Sequence, residues 1–324
     1  MDDRNGHLFG EVQGVKSGRV NFTSSNMMNL PVDFQKNILS AFGEQGHEWL
    51  AHLPKLIDEA SQQWHLVDAQ QVPNLSYNFV AFAKQRSAEV ILKIGVPNPE
   101  LTSEMRTLEL FNGDGACRLL DCDEQKGFLL IERLKPGLML ADLQNDDERT
   151  HITIDVMQRI WRPVPKGNGP FIQLTDWFDS LKNIRPHFNG GTGPFPERLL
   201  QRVEASLPEL FAEDDLRLLH GDFHHFNILS SERGWLAIDP KGVVGPAGYE
   251  IGPLMLNPWT RPMDSINFKV QTERRVDILK ERLGWAREKI INWSLAHAIL
   301  SAYWDLDLEP GHPLAIAEVF AGMK

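Results

Sequence analysis

The segment HGDFHHFN at residues 220–227 carries three histidines, one aspartate and one asparagine within eight residues. We call it the HGD loop. Such a density of polar, reactive side chains is unusual for a core segment. These residue types fit a metal cage, a proton-transfer site or a solvated loop, and the surrounding residues must distinguish between these possibilities.

The residues after the HGD loop favour a magnesium site with a neighbouring base. The apolar run WLAI at residues 235–238 is followed directly by Asp239 and preceded by the polar residues 230–234. This pattern predicts a hairpin that brings Asn227 and Asp239 to one end, with Asp222 beside them. Amide and carboxylate oxygens suit Mg²⁺, and an adjacent aspartate can orient and deprotonate a hydroxyl. These residues predict phosphoryl transfer, in which positioning and charge neutralisation do most of the catalytic work.

Phosphoryl transfer also needs a cation for the phosphates that are not transferred, and Lys93 is the candidate. It lies in AEVILKIG, residues 88–95, where apolar neighbours predict a strand. A buried lysine is costly unless it is paired, and Glu104 on the following helix is the expected partner. Glu100 is the second choice, because a carboxylate near a helix start tends to serve as a cap.

Hydrophobic periodicity predicts the elements that must position these residues. The first part of the chain is predicted to form two helices over residues 33–64, separated at Pro54, and two hairpin strands at 75–82 and 87–94. A helix at 100–110 and two further strands at 117–120 and 127–134 follow. Residues 138–218 are mainly helical in pattern, and a long helical pattern over 274–304 breaks near Gly284. We therefore expect a disordered tail at 1–27, which need not belong to the natural protein, a small lobe at 28–135 and a helical lobe at 136–324.

Composition excludes several classes of function. The chain of 324 residues has a formal net charge of −11, whereas nucleic-acid binding needs clustered Lys and Arg. There is no apolar run of membrane-spanning length and no signal-peptide pattern at the N-terminus. Cys117 and Cys122 are predicted to be reduced thiols. We expect a cytoplasmic protein without nucleic-acid or membrane partners, and the oligomeric state stays open.

The order of these features resembles the protein-kinase-like fold. It runs from a strand lysine through a helix glutamate, a hinge strand and HGDxxxxN to an apolar strand that ends in aspartate. The segments LHGDFHHFNIL and WLAIDPKGVVGPAGYEIGPLMLNP are similar to the aminoglycoside/hydroxyurea antibiotic resistance kinases, which include streptomycin 6-kinases, in the aminoglycoside phosphotransferase branch. The resemblance implies an α+β, two-lobed fold, with an antiparallel sheet in a small N-lobe and a larger, mainly helical C-lobe.

The resemblance also implies a role for each candidate residue. Asp222 would be the catalytic base, Asn227 and Asp239 would hold Mg²⁺, and Lys93 would bind the ATP phosphates, fixed by Glu104.

Two further segments are implied to meet the nucleotide. The hinge, whose backbone would contact adenine, runs from Glu132 to Leu134. The segment LSYNF at residues 75–79 lacks the glycines with which protein kinases cover the phosphates. Ser76 and Asn78 are therefore predicted to donate hydrogen bonds there instead.

The implied activity is ATP-dependent phosphorylation of a hydroxyl on a small, polar, cationic acceptor, with streptomycin favoured among aminoglycosides. Hydroxyurea, a sugar or another metabolite alcohol stays open as the acceptor, because the catalytic residues do not separate them. A non-catalytic nucleotide-binding protein is disfavoured because Lys93, Asp222, Asn227 and Asp239 are all present. A zinc hydrolase would leave Lys93 unexplained.

Several other residues have both a structural and a functional interpretation. We interpret His220 as a brace of the loop backbone, and His224 and His225 as packing or surface residues rather than metal ligands. Glu250 is either a brace of the HGD loop or a helix cap. We interpret three late acids as a solvated helix end rather than as a contact to a cationic substrate: Asp305, Asp307 and Glu309. We interpret four tryptophans as core residues rather than as a sugar-stacking platform: Trp259, Trp285, Trp293 and Trp304.

Overall fold

The computed structural model describes residues 30–167, 169–212, 216–258, 265–306 and 311–323. The predicted tail at residues 1–27, Trp259, Asp307 and Glu309 lie outside the described residues. Across the described ranges, no helix combines the length and apolar character needed to cross a bilayer.

The elements alternate in type through the first half of the chain and are mainly helical afterwards. The helices are α1 (Val32–Trp64), α2 (Pro99–Phe111), α3 (Asp146–Ile160), α4 (Leu174–Asp179), α5 (Ile184–His187), α6 (Glu197–Phe211), α7 (Ile251–Leu256), α8 (Ser265–Leu283), α9 (Arg287–Trp304) and α10 (Gly311–Ala321). The strands are β1 (Leu66–Gln71), β2 (Phe79–Gln85), β3 (Ala88–Ile94), β4 (Leu119–Asp123), β5 (Phe128–Glu132), β6 (Pro136–Met139), β7 (Arg162–Pro163), β8 (Ile172–Gln173), β9 (Leu216–Leu219), β10 (Ile228–Ser231), β11 (Gly234–Ala237) and β12 (Val243–Pro246).

The small lobe is built on an antiparallel sheet with the strand order β1-β2-β3-β5-β4. Helix α1 covers one face, where Phe34 and Leu53 share a core with Leu92 and Ile94 of β3. Successive side chains of a strand point to opposite faces. Lys93, between these two residues, therefore points to the face covered by α2.

Helix α2 packs on that second face and also contacts the large lobe. Its residues Leu101, Met105 and Leu108 share a core with Leu129 of β5 and Leu236 of β11. The side chain of Asn98 caps the helix by accepting hydrogen bonds from the backbone N–H groups of Glu100 (2.8 Å) and Leu101 (3.1 Å). The cap defines where α2 starts and hence which of its residues face β3.

The small lobe departs from the predicted elements in two places. Helix α1 breaks at Gly43, with φ 53° and ψ −128°, rather than at Pro54, which lies inside the helix. Glycine adopts positive φ without a steric penalty, and the helix continues through Pro54, so the prediction of a break at Pro54 was wrong. Strand β1 was not predicted, because its sequence LVDAQQ is polar and lies at the sheet edge.

The large lobe is mainly helical, with Trp293 and Tyr249 fully buried in its core. The predicted break near Gly284 is confirmed, since α8 ends at Leu283 and α9 begins at Arg287. The prediction of a mainly helical segment over 138–218 did not include its short strands. These strands belong to two small sheets with the strand orders β11-β10-β6 and β7-β9-β12-β8. Strands of two residues are too short to show a period of their own.

Candidate active site

The HGD loop leads from β9 into the β10–β11 hairpin. Residues Ile228 and Ala237 pair across this hairpin, and the Ile238 N–H donates to the Asn227 carbonyl at 2.9 Å. Asp239 follows directly with a φ of 62°. The hairpin therefore brings Asn227 next to Asp239, as its sequence predicted.

Asn227 is oriented by Asp222. Its Nδ2 donates to the Asp222 carbonyl at 3.0 Å and to Asp222 Oδ2 at 3.3 Å. Asn227 Oδ1 and Asp239 Oδ2 are both buried and have no hydrogen-bond partner within the described residues. Buried acceptor oxygens without partners are costly, and such oxygens are the ligands that Mg²⁺ prefers. The chemistry of these two oxygens fits a magnesium ion, which Asn227 and Asp239 would hold.

Lys93 connects the small lobe to this metal-binding pair. Its Nζ lies 2.7 Å from each carboxylate oxygen of Glu104 and forms an ion pair with Oδ1 of Asp239. All three side chains are buried. The structure thus places Lys93 against both residues that the phosphoryl-transfer hypothesis requires.

The Lys93 ammonium pairs with two carboxylates, those of Glu104 and Asp239. Burial disfavours the Lys93 charge, but Asp239 and Glu104 outweigh it and raise the pKa of Lys93. Burial also opposes ionisation of Asp239, yet Lys93 and Lys241 together lower the pKa of its carboxyl. For Glu104 burial prevails, and it raises the pKa to about 7 although Lys93 acts in the opposite direction. Asp239 therefore holds the firmer negative charge of the two acids.

Glu100 has neither of the roles considered for it. Asn98 caps α2, and the Glu100 carboxylate instead pairs with Lys241, two residues after Asp239. The expectation of a capping carboxylate was wrong because an asparagine just before a helix satisfies the same N–H groups. Sequence reasoning assigned no role to Lys241, although this residue lies in the family-like segment WLAIDPKGVVGPAGYEIGPLMLNP.

Asp222 is buried beside a histidine. His224 Nε2 lies 3.3 Å from its Oδ1. Burial opposes ionisation of Asp222, but His224, Lys241 and His220 outweigh it and lower the pKa of the carboxyl. The carboxylate is therefore ionised at neutral pH and can accept a proton or a hydrogen bond from a hydroxyl.

Two buried side chains support the HGD loop from its other side. His220 Nε2 contacts the Ile238 carbonyl at 2.8 Å, and burial lowers the pKa of His220 to about 4. Glu250 accepts hydrogen bonds from the N–H groups of His220 (3.2 Å) and Gly221 (2.8 Å), and burial raises its pKa to about 8. Glu250 forms no side-chain cap on α7. Of its two interpretations, the structure supports the loop brace.

The remaining histidines of the loop do not converge. His224 contacts Asp222. The His225 ring is fully buried elsewhere, and its pKa is held well below the usual value, mainly by burial and also by the positive charges of Arg275 and Arg149. In the part of the chain that the structure describes, no cluster of three or more His, Cys, Asp or Glu side chains is arranged to hold a metal ion.

The residues predicted to contact the nucleotide lie in two segments of the small lobe. Ser76 and Asn78 lie in the connection between β1 and β2, since β2 begins only at Phe79. Glu132 ends β5, and its carboxylate accepts from the Arg118 N–H at 2.7 Å and pairs with Arg233. Protein groups therefore hold its side chain. Leu134 is buried in the core around α2.

Comparison with known proteins identifies the family. The model of the aminoglycoside/hydroxyurea antibiotic resistance kinases matches residues 63–308. The chain belongs to this family. This kinase is therefore a phosphotransferase that acts on a hydroxyl group.

Two curated relatives match most of the kinase. It is 28% identical over 288 residues to a streptomycin 6-kinase of Streptomyces glaucescens, covering 88% of this chain and 93% of the relative. It is 30% identical over 307 residues to a hydroxyurea phosphotransferase of Kitasatospora aureofaciens, covering 91% and 87%.

Solved structures show the fold of the kinase. Choline kinase LicA from Streptococcus pneumoniae superposes with a TM-score of 0.61 at 15% identity, covering 84% of this chain and 100% of that one. A thermostable mutant of the aminoglycoside phosphotransferase APH(4)-Ia has a TM-score of 0.53 at 18% identity, covering 83% and 99%. The kinase therefore has the two-lobed, protein-kinase-like architecture.

Gly221 lies at a backbone position that favours glycine. Its φ is 86°, and a β-carbon there would lie 2.3 Å from Val243 Cγ2. Gly221→Ala is expected to lower the free energy of unfolding by about 2–3 kcal/mol, from backbone strain plus the clash. Urea denaturation measures it.

Gly234→Ala is the matched control for this prediction. Gly234 has a φ of 90° and no atom within 4 Å of such a β-carbon, so only the backbone cost of about 1 kcal/mol applies. Equal losses of stability in the two variants would contradict a role for the contact with Val243.

Proposed function

We propose that the kinase transfers the γ-phosphoryl group of ATP to a hydroxyl of an aminoglycoside, with streptomycin as the favoured acceptor. The observation that carries the proposal is the convergence of Lys93, Asp222, Asn227 and Asp239 in one buried site. Similarity to streptomycin 6-kinases supports the choice of acceptor.

Each residue has a role that its contacts support. Asn227 and Asp239 hold Mg²⁺, which neutralises charge on the ATP phosphates when it is bound. Lys93, fixed by Glu104, binds the phosphates that remain on ADP. Asp222 orients the acceptor hydroxyl and takes its proton as the new oxygen–phosphorus bond forms.

The two lobes divide this work. In the proposal, residues 28–135 form the nucleotide-binding lobe, with Ser76 and Asn78 near the phosphates and the backbone between Glu132 and Leu134 at the adenine. Residues 136–324 form the catalytic and substrate lobe. Positioning of both reactants accounts for most of the rate enhancement in such a reaction.

Hydroxyurea is the second candidate acceptor. The similarity to a hydroxyurea phosphotransferase at 30% identity favours it specifically. The net charge of −11 favours a cationic acceptor instead, because an acidic protein attracts cations. Hydroxyurea carries no such charge, so the charge balance ranks the aminoglycoside first.

Purified protein with Mg²⁺ and ATP tests the proposal directly. We expect streptomycin to gain one phosphoryl group in a panel of aminoglycosides, hydroxyurea and simple sugars, read by mass spectrometry. Protein carrying Asp222→Asn is the control for contaminating kinases. Absence of modification in every acceptor, with no ATP consumed, would refute the proposed function.

A further inference from the structure

The β10–β11 hairpin belongs to the large lobe but contacts the small lobe at both of its ends. At its open end Ile228 pairs with Ala237, and at its turn Ser231 pairs with Gly234. Arg233 lies in this turn. Its backbone N–H donates to Ser231 Oγ at 3.1 Å, and that hydroxyl donates to the Gly234 carbonyl at 2.6 Å. These bonds fix the backbone from which the Arg233 side chain extends.

The Arg233 guanidinium joins two segments of the small lobe. One terminal nitrogen donates to the Gly113 carbonyl, just after α2, and the other donates to Glu132 Oε1 at the end of β5. The Arg233 side chain is 31% exposed and that of Glu132 is 18% exposed. Such a partly buried pair is screened less by solvent than a surface pair, and each guanidinium contact has a defined direction. Arg233 therefore holds the hairpin turn against the end of β5.

Glu132 is the first residue of the proposed hinge. Its carboxylate accepts from the Arg118 N–H at 2.7 Å as well as from Arg233, and its own N–H donates to the Arg118 carbonyl at 3.0 Å. Contacts to both its side chain and its backbone leave this residue little freedom to rotate. They restrict the direction of the peptide groups that follow it in the hinge.

Backbone hydrogen bonds attach the hairpin to the small lobe near its open end as well. The Ala237 N–H donates to the Gly115 carbonyl, and the Cys117 N–H donates to the Ala237 carbonyl, both at 2.8 Å. Asp239 follows Ala237 by two residues. The hinge at one end of the hairpin and Asp239 at the other are thus parts of one connected frame.

We propose that Arg233 is a positioning residue for ATP, an inference that rests on the proposed function. A bound nucleotide must reach from the hinge, where its adenine would lie, to the side chains of Asn227 and Asp239. Arg233 acts through Glu132 and sets the hinge relative to the hairpin that carries these two side chains. It contacts neither substrate itself.

The alternative is an ion pair that only stabilises the fold, and the two roles differ in their kinetics. A purely structural loss reduces the fraction of folded enzyme, which lowers the apparent kcat and leaves the KM for ATP unchanged. A displaced hinge weakens nucleotide binding in the folded enzyme, which raises the KM for ATP. A split between KM and kcat therefore distinguishes positioning from stability.

Arg233→Met tests the inference because it keeps much of the apolar stem and removes both guanidinium contacts. We expect the KM for ATP and the Kd of the non-hydrolysable analogue AMP-PNP to rise about tenfold. The kcat at saturating ATP and the KM for the acceptor should stay within about threefold of wild type. Steady-state kinetics with the acceptor found in the panel and isothermal titration calorimetry measure these quantities.

Arg233→Lys is the conservative variant. Lysine keeps a charge near Glu132 but lacks the planar fork that contacts Glu132 and Gly113 together. We expect its KM for ATP to lie between those of wild type and Arg233→Met. It also replaces the methionine variant if that protein does not fold, and a lysine variant with the wild-type KM would then overturn the inference.

Arg106→Met is the matched control. Arg106 on α2 also bridges two partners, Glu109 and Glu124, but all three side chains are 42–43% exposed and none lies in the hinge or the hairpin. This variant should keep the wild-type KM for ATP. An equal rise in KM at Arg106 and Arg233 would overturn the inference.

A double variant tests whether Arg233 acts through Glu132. Arg233→Met combined with Glu132→Gln should raise the KM for ATP no further than the larger single effect, because both changes remove one contact. Additive effects, or an Arg233→Met protein that loses only kcat, would overturn the inference. Wild-type protein that neither binds nucleotide nor modifies an acceptor would instead refute the proposed function itself.

Discussion

Asp222→Asn is expected to lower kcat about 10³-fold while affinity for ATP stays within about threefold of wild type. Asparagine has nearly the same shape and can still accept the hydrogen bond from Asn227 Nδ2, so the loop is retained. It cannot take a proton from the acceptor hydroxyl. The change therefore removes the base and leaves the nucleotide site in place.

Steady-state kinetics with the acceptor found in the panel, together with calorimetric titration of nucleotide, measures both quantities. Asp33→Asn is the matched control, since the same chemical change there affects an aspartate whose side chain is 89% exposed and pairs only weakly with Lys36. It should leave kcat unaltered. An Asp222→Asn protein that keeps more than about a tenth of kcat would argue against a general base at this position.

Lys93→Met is expected to destabilise the protein by about 3–5 kcal/mol and to abolish measurable nucleotide binding. Lys93 is 4% exposed and sits between Glu104 and Asp239. Removing it takes away the ammonium that both buried carboxylates contact. It also removes the cation that the proposed mechanism assigns to the ATP phosphates.

A double variant separates these two effects. Lys93→Met with Glu104→Gln removes one of the stranded charges, so we expect it to recover part of the stability but none of the nucleotide affinity. Urea denaturation and calorimetric titration report the two properties independently. Recovery of nucleotide binding in the double variant would rule out a direct contact between Lys93 and the phosphates.

Lys84→Met on the neighbouring strand is the control. Lys84 pairs with Asp68 at 2.8 Å, but both side chains are about half exposed. Such a surface pair contributes less than about 1 kcal/mol. A loss at Lys84 equal to that at Lys93 would show that the effect does not depend on burial.

The local geometry of the site follows from short-range patterns in the chain. Asn227 and Asp239 meet because the residues between them form a tight hairpin, and twelve positions are enough to encode it. Lys93 faces α2 because strand side chains alternate and its neighbours Leu92 and Ile94 belong to the core under α1. These relations depend only on residues near one another in sequence.

Other features depended on packing between distant segments. The break in α1 lies at Gly43 rather than at Pro54, which the helix holds in its interior. Glu100 and Lys241 are 141 residues apart, and sequence gave no reason to pair them. Glu250 could be assigned to the loop only once its two backbone contacts were known.

The sequence by itself determined the β10–β11 hairpin, the strand that carries Lys93 and the family motifs, because hydrophobic periodicity, local hydrogen bonding and motif spacing act over short stretches of chain. Only the tertiary structure showed that Lys93 also contacts Asp239 and that Glu100 accompanies Lys241. The ion pairs of Lys93 and Lys241 join segments whose approach is set by packing of α2 against the sheet and against the β10–β11 hairpin. A carboxylate pairs with the cation that this packing places nearby, and the local sequence pattern does not encode the distance between the two side chains.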